Sequence, residues 1–193
     1  MPLSPRFEEA LVYAARLHAN QRRKGTDVPY IAHLMAVASI ALLHGANEDE
    51  AIAALLHDAV EDQGGAGTRE EIRRRFGATV AEIVDGCTDT DISPKPPWRE
   101  RKENYVRHIR SAPASVRLVS ASDKLDNARA ILSDYRVLGD ALWDRFSGGK
   151  EGTLWYYRSL VDAFQQAGGG PLIAELDSVV REIERLVRTP HIA

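Results

Sequence analysis

Apolar residues recur at helical spacing along almost the whole chain, and runs in which Val, Ile and aromatic residues alternate with polar ones are missing. The pattern predicts an all-α fold. Phe7, Leu11, Ala14 and His18 share one face of "FEEALVYAARLH", behind Ser4 and Pro5, an N-cap followed by a first-turn proline. A second helix is predicted from Ile31 to His44, with Gly45 as its stop. Asn47 with Glu50, and Thr68 with Glu71, have capping-box spacing, so helices are expected to begin near "EDEAIAALLHD" and "REEIRRRF". Further periodic segments lie in "TVAEIVDGC", "WRERKENYVRHIR", "SVRLVSASDKLDNARAIL", "TLWYYRSLVDAF" and "LIAELDSVVREIERLV", which makes roughly eight helices. "QGGAG", "DISPKPP", "FSGGKEG" and "AGGGP" read as short turns or loops between them, and no repeat or low-complexity tract is visible. A single domain is expected over residues 1–193, with a C-terminal helix at 172–188 packed on it.

Composition narrows the function classes. The 193 residues are 44% hydrophobic and 27% charged with a net charge of −3, a balance that gives no general reason to expect nucleic acid or an anionic membrane as partner. An anionic ligand would need a local basic patch. The single cysteine, Cys87, cannot form an internal disulfide and fits a reducing cytoplasm as a buried, inert thiol. The N-terminal stretch "MPLSPRFEEALVYAARLHANQ" lacks the apolar run of a signal peptide, and no segment reaches the length of a membrane span. A cytoplasmic protein is expected, and a homo-oligomer is compatible with everything above.

The segment "ALLHDAVED" departs from ordinary helix composition, with a His, two Asp and a Glu packed into six residues. On a helical wheel Ile52, Leu55, Leu56, Ala59 and Val60 fall on one side, and His57, Asp58, Glu61 and Asp62 on the other. A solvated charged face is the plain explanation. Ala51 and Ala54 share the polar side, however, and side chains that small let other helices approach it and form a cleft. Residues four apart stack, giving a His57–Glu61 row and an Asp58–Asp62 row, one to hold a divalent cation and one to handle protons or water. Further ligands would have to come from elsewhere. His33 in "VPYIAHLMAV" and Asp123 in "SASDKLDNARAIL" are candidates, the latter off the core stripe formed by Leu118, Ala121, Leu125, Ala128 and Leu132.

The order His33, His57-Asp58, Asp123 resembles the HD-domain metal-dependent phosphohydrolases. "HANQRRKGTDVPYIAHL", "ALLHDAVEDQ", "FGATVAEIVDGCTD" and "SASDKLDNARAIL" are similar to the hydrolase domain of RelA/SpoT-type proteins and small alarmone hydrolases, over about residues 5–165. The resemblance implies a bundle of roughly eight to ten helices and one Mn²⁺ held by His33, His57, Asp58 and Asp123. It implies Glu61 and Asp62 as the catalytic acidic pair, and (p)ppGpp, losing its 3′-pyrophosphate, as substrate. It also makes Arg23 and Lys24 of "QRRKG", otherwise an ordinary solvated basic run, candidates for base stacking and phosphate contact. Lys124 becomes a second phosphate candidate and Asn127 a nucleoside contact. Tyr156 and Tyr157 could line the pocket, with core packing the plainer reading.

Three positions depart from the family pattern. Leu34 stands where Pro is frequent, Asp126 where His is usual, and Ala130 where Thr is common. They bear on the substrate, so the alternatives are an HD phosphohydrolase acting on another nucleotide, such as NADPH or a nucleoside monophosphate, and a nucleotide-binding sensor without turnover. "FSGGKEGT" does not meet the phosphate-loop pattern and is read as a loop.

Overall fold

The structure is a computed structural model that describes residues 3–90 and 94–188. The first three residues of the "DISPKPP" loop and the first two of the N-terminal stretch lie outside the described residues. Among the described residues the chain forms ten α-helical segments and one 3₁₀-helix, with Arg22 and Pro29 joined by an isolated antiparallel bridge. Chain contacts divide it into two compact units, one of residues 1–95 and 112–123, the other of 96–111 and 124–193.

The first unit is built on α1 (Pro5–Leu17), α2 (Ile31–Leu43), α3 (Glu48–Leu56), α4 (Ala59–Asp62), α5 (Gly65–Phe76) and α6 (Ala78–Cys87), plus the opening turns of α8 (Ala114–Leu138). Local chemistry sets the starts. Ser4 accepts from the Arg6 amide with Pro5 in the first turn, and Asn47 with Glu50 closes a full capping box at α3. His44 ends α2, and Gly45 follows at φ +88°, as the sequence pattern predicts. α3 lies at the centre, packed against α1, α2 and α6. Ala51, Ile52, Ala53 and Ala54 all have zero exposure, so the small residues on its polar side do admit neighbouring helices.

Two helix starts differ from expectation. α5 begins at Gly65 rather than near Arg69, because Gly64 and Gly65 turn the chain at φ +125° and +57° and "GAG" then joins the helix. Thr68 is therefore no N-cap: its hydroxyl, buried, donates to the Gln63 carbonyl at 2.6 Å. The 51–62 segment is also not one helix, since α3 ends at Leu56 and α4 starts at Ala59, leaving His57 and Asp58 at the join.

The second unit holds α7 (Trp98–Ile109), the rest of α8, the 3₁₀-helix Gly139–Arg145, α9 (Gly149–Gln166) and α10 (Pro171–Arg188). α9 packs against α7 and α10. The segment read as the loop "FSGGKEG" is helix from Gly149 onward, and a Cβ on Gly148, its N-cap, would come within 2.5 Å of the Trp98 ring. Glycine here serves close packing rather than a loop. Tyr156, buried against Trp98, follows the core-packing reading.

Candidate metal centre

His33 sits in the first turn of α2, where Tyr30 occupies the N-cap position without using its side chain as a cap. The Tyr30 hydroxyl instead donates to Asp58 Oδ2 at 2.5 Å. At the α3–α4 join, His57 Nδ1 lies 2.9 Å from the Ala54 carbonyl oxygen, which can only accept. Nδ1 therefore carries a proton, which turns Nε2 toward the carboxylates and leaves that nitrogen as the one able to serve a cation. Asp123 comes from the buried end of the α8 portion in this unit, beside Ser122, whose hydroxyl donates to the Leu118 carbonyl.

The four groups converge. His57 Nε2 lies 3.0 Å from Asp58 Oδ2 and 3.6 Å from Asp123 Oδ1, and His33 Nε2 lies 3.7 and 3.3 Å from the same two atoms. The two imidazole rings meet edge to face at 5.2 Å. One ligand atom each from His33, His57 and Asp58 falls within 4.8 Å of the others, and both His residues and Asp123 are buried while the Asp58 side chain keeps 23% exposure. Two imidazole nitrogens and an Asp58 oxygen, with Asp123 Oδ1 beside both nitrogens, suit a divalent cation that retains positions for water or a phosphate oxygen. The row reading is corrected here, because it is the neighbours His57 and Asp58, rather than His57 and Glu61, that face one point at the helix join.

The electrostatics of this cluster follow from its packing. Burial alone would lower the His57 pKa, but Asp58 and Asp123 outweigh it and hold the imidazole well above its ordinary value. Burial also opposes charge on Asp58, yet the two histidines keep its carboxyl well below the usual range. Burial and then the Asp58 charge raise the Tyr30 phenol, which stays protonated and donating.

The acidic pair leaves this point in two directions. Glu61 takes Lys95 Nζ at 2.8 Å on Oε1 and the Asp89 amide at 3.3 Å on Oε2. Asp62 Oδ2 instead accepts from Gln21 Nε2 at 2.7 Å. Desolvation by neighbours and then the Asp58 charge raise the Asp62 pKa, an effect screened by the solvent that reaches this exposed residue.

Arg23 and Lys24 ride on a loop closed by the Arg23 amide on the Val28 carbonyl (2.9 Å) and the Tyr30 amide on the Gln21 carbonyl (3.0 Å). The two ends of that loop are tied to α4 and its start, Gln21 to Asp62 and Tyr30 to Asp58. Lys124 and Asn127 belong to the second unit, where Lys124 Nζ lies 5.3 Å from the Tyr105 ring centre. Sequence reasoning missed Tyr30, Gln21, Gln63 and Lys95. The first two lie inside the quoted "HANQRRKGTDVPYIAHL", where a Tyr one turn before the His was a usable signal. Lys95, in an aperiodic Pro-rich loop, offered none.

No helix among the described residues is long and apolar enough to cross a membrane. The chain is 43% identical over 124 residues to guanosine-3′,5′-bis(diphosphate) 3′-pyrophosphohydrolase MESH1 of Danio rerio, a match covering 63% of this chain and 66% of that one. Identity to the Drosophila melanogaster MESH1 is 36% over 129 residues, covering 65% and 69%. The Aquifex aeolicus guanosine-3′,5′-bis(diphosphate) 3′-pyrophosphohydrolase matches at 38% over 127 residues, which are 65% of this chain but 18% of that protein. The chain thus spans about two thirds of the animal relatives and under a fifth of this bacterial one. A solved structure of a metazoan SpoT ortholog, described as hydrolysing ppGpp and playing a role in starvation responses, superimposes with a TM-score of 0.79. That match has 28% identity and covers 97% of this chain and 99% of the other. The sequence profile of the HD domain matches residues 10–143, a span that contains His33, His57, Asp58 and Asp123 together, and the chain belongs to the HD-domain family.

Proposed function

We propose that this protein is a Mn²⁺-dependent (p)ppGpp 3′-pyrophosphohydrolase, releasing GDP and intact pyrophosphate from ppGpp. The observation that carries the reading is the convergence of His33, His57, Asp58 and Asp123, with a second pair of carboxylates one turn further along. The names of the animal and bacterial relatives support it. Mixed imidazole and carboxylate donors favour Mn²⁺ over Mg²⁺, which prefers oxygen alone. When bound, such a cation lowers the pKa of water and neutralises phosphoryl charge.

The chain's own residues do the rest. His57, with its proton on Nδ1, offers the Nε2 lone pair, and the Tyr30 hydroxyl holds one Asp58 oxygen in place. Glu61 and Asp62 orient or deprotonate water and return a proton to the departing ribose oxygen. Arg23 and Lys24 stack on the base and meet phosphate, Lys124 meets phosphate, and Asn127 contacts the nucleoside. The setting that goes with this reading is cytoplasmic, with a phosphorylated nucleotide as the small-molecule partner.

The test is a panel of ppGpp, NADPH and a nucleoside monophosphate, each supplied with Mn²⁺, with products followed by phosphorus NMR. GDP and pyrophosphate from ppGpp are expected. Stepwise orthophosphate, or turnover of another nucleotide with ppGpp untouched, overturns the alarmone reading and favours the broader HD phosphohydrolase that Leu34, Asp126 and Ala130 leave open.

A further inference from the structure

Asp62 is held by a side chain whose own orientation is fixed from behind. The carboxylate can only accept, so the Gln21 end that meets it at 2.7 Å must be the NH₂ group. The other end, Oε1, then receives two donors: Gln63 Nε2 at 2.6 Å and His18 Nδ1 at 2.7 Å. His18 is 2% exposed, its ring stacks on Tyr30 with centres 5.3 Å apart, and Tyr30 in turn bonds Asp58. One connected array therefore reaches both Asp58 and Asp62.

We propose that Gln21, locked by His18 and Gln63, is a positioning residue that aims the Asp62 carboxylate for catalysis. The inference rests on the assignment of Asp62 to the acidic pair. Its physical basis is that an amide with both ends satisfied cannot flip, so Asp62 meets a donor in every turnover. Asp62 keeps an exposed position, and without such a donor its side chain would sample other rotamers. A partner that orients a functional carboxylate is typically worth about 10- to 100-fold in activity.

Gln21→Glu separates the two ends. The variant keeps an oxygen for His18 and Gln63 but sets an acceptor against Asp62, so a merely structural role would survive it. Assayed near pH ~8, where Glu is ionised, it should lose about 10- to 100-fold in kcat while KM, Mn²⁺ content and Tm stay near wild type. Placed on Asp62→Asn, Gln21→Glu should cost little more, because both act through one group. Wild-type kcat in Gln21→Glu, or losses that multiply in the double variant, overturns the inference. Wild-type kcat in Asp62→Asn removes its basis. If the enzyme ignores ppGpp but turns over another nucleotide, the function reading fails, and the same cycle on that nucleotide still decides Gln21. A readout free of turnover is the Gln21 side-chain amide resonance in ¹⁵N-labelled protein. It should shift in Asp62→Asn and hold in Glu61→Gln, and a shift absent from Asp62→Asn also overturns the proposal.

Discussion

Tyr30 shows how much of this site depends on a hydroxyl outside the proposed donor set. Its phenol is kept protonated by burial and by the Asp58 charge, so at any working pH it donates to Asp58 Oδ2, the same oxygen that faces both histidines. Tyr30→Phe should therefore fold, retain the stack on His18, and bind Mn²⁺ roughly 10- to 100-fold more weakly. Calorimetric titration with Mn²⁺ checks this, and wild-type affinity would remove Tyr30 from the site. The proposed donors themselves were legible in the sequence, since His57 and Asp58 are adjacent and stand out against an apolar helix. Apart from Tyr30, one turn before His33, the side chains that hold the site's carboxylates were not, because Tyr30–Asp58, Gln21–Asp62 and Lys95–Glu61 join residues 28, 41 and 34 apart and leave no periodic trace.

Between helices, one glycine carries a long lever. A Cβ on Gly86 of α6 would fall 2.5 Å from a Val116 methyl, so these two elements touch with no side chain between them on the α6 side. Val116 lies two helical turns before Asp123, on the same face of α8. Gly86→Ala should push that stretch of α8 outward, lowering Mn²⁺ affinity as well as Tm, and Val116→Ala on top should restore both. Recovery of Tm without recovery of affinity would show that the contact stabilises without aligning. In the second unit, Arg158 of α9 bonds Asp177 at 2.7 Å and Glu184 at 2.8 Å on α10. Burial opposes the Asp177 charge, but Arg158 and Arg181 outweigh it and hold the carboxyl below its ordinary value of 3.8. A lowered folded pKa gives stability that is full above pH 3.8 and lost as pH falls through the folded value. Asp177→Asn should thus cost about 1–3 kcal/mol near neutrality and progressively less below that pH, as followed by thermal unfolding. Periodicity found α9 and α10 readily. It misplaced the starts of α5 and α9 because glycines that serve a turn or a close ring contact look, in sequence, like glycines of a loop.

For the molecule as a whole, the two units are not consecutive in the chain. Residues 96–111 leave the first unit before 112–123 return to it, and the second unit resumes at 124, inside α8. The proposed fourth cation donor, Asp123, is the last residue of the returning segment, which also brings the buried Ala112, Val116 and Val119. A chain cut after Lys95 should accordingly bind Mn²⁺ much more weakly than the full protein and unfold with reduced cooperativity. Calorimetry and a thermal melt check both, and full affinity in that fragment would exclude Asp123 as a donor. The all-α class was evident from spacing alone, but this interleaving was invisible, since α8 reads as one uninterrupted helix on either side of Asp123. During synthesis the consequence is a matter of timing: a nascent chain presents His33, His57 and Asp58 early, and must wait until α6 and α7 have left the ribosome before Asp123 can close the set.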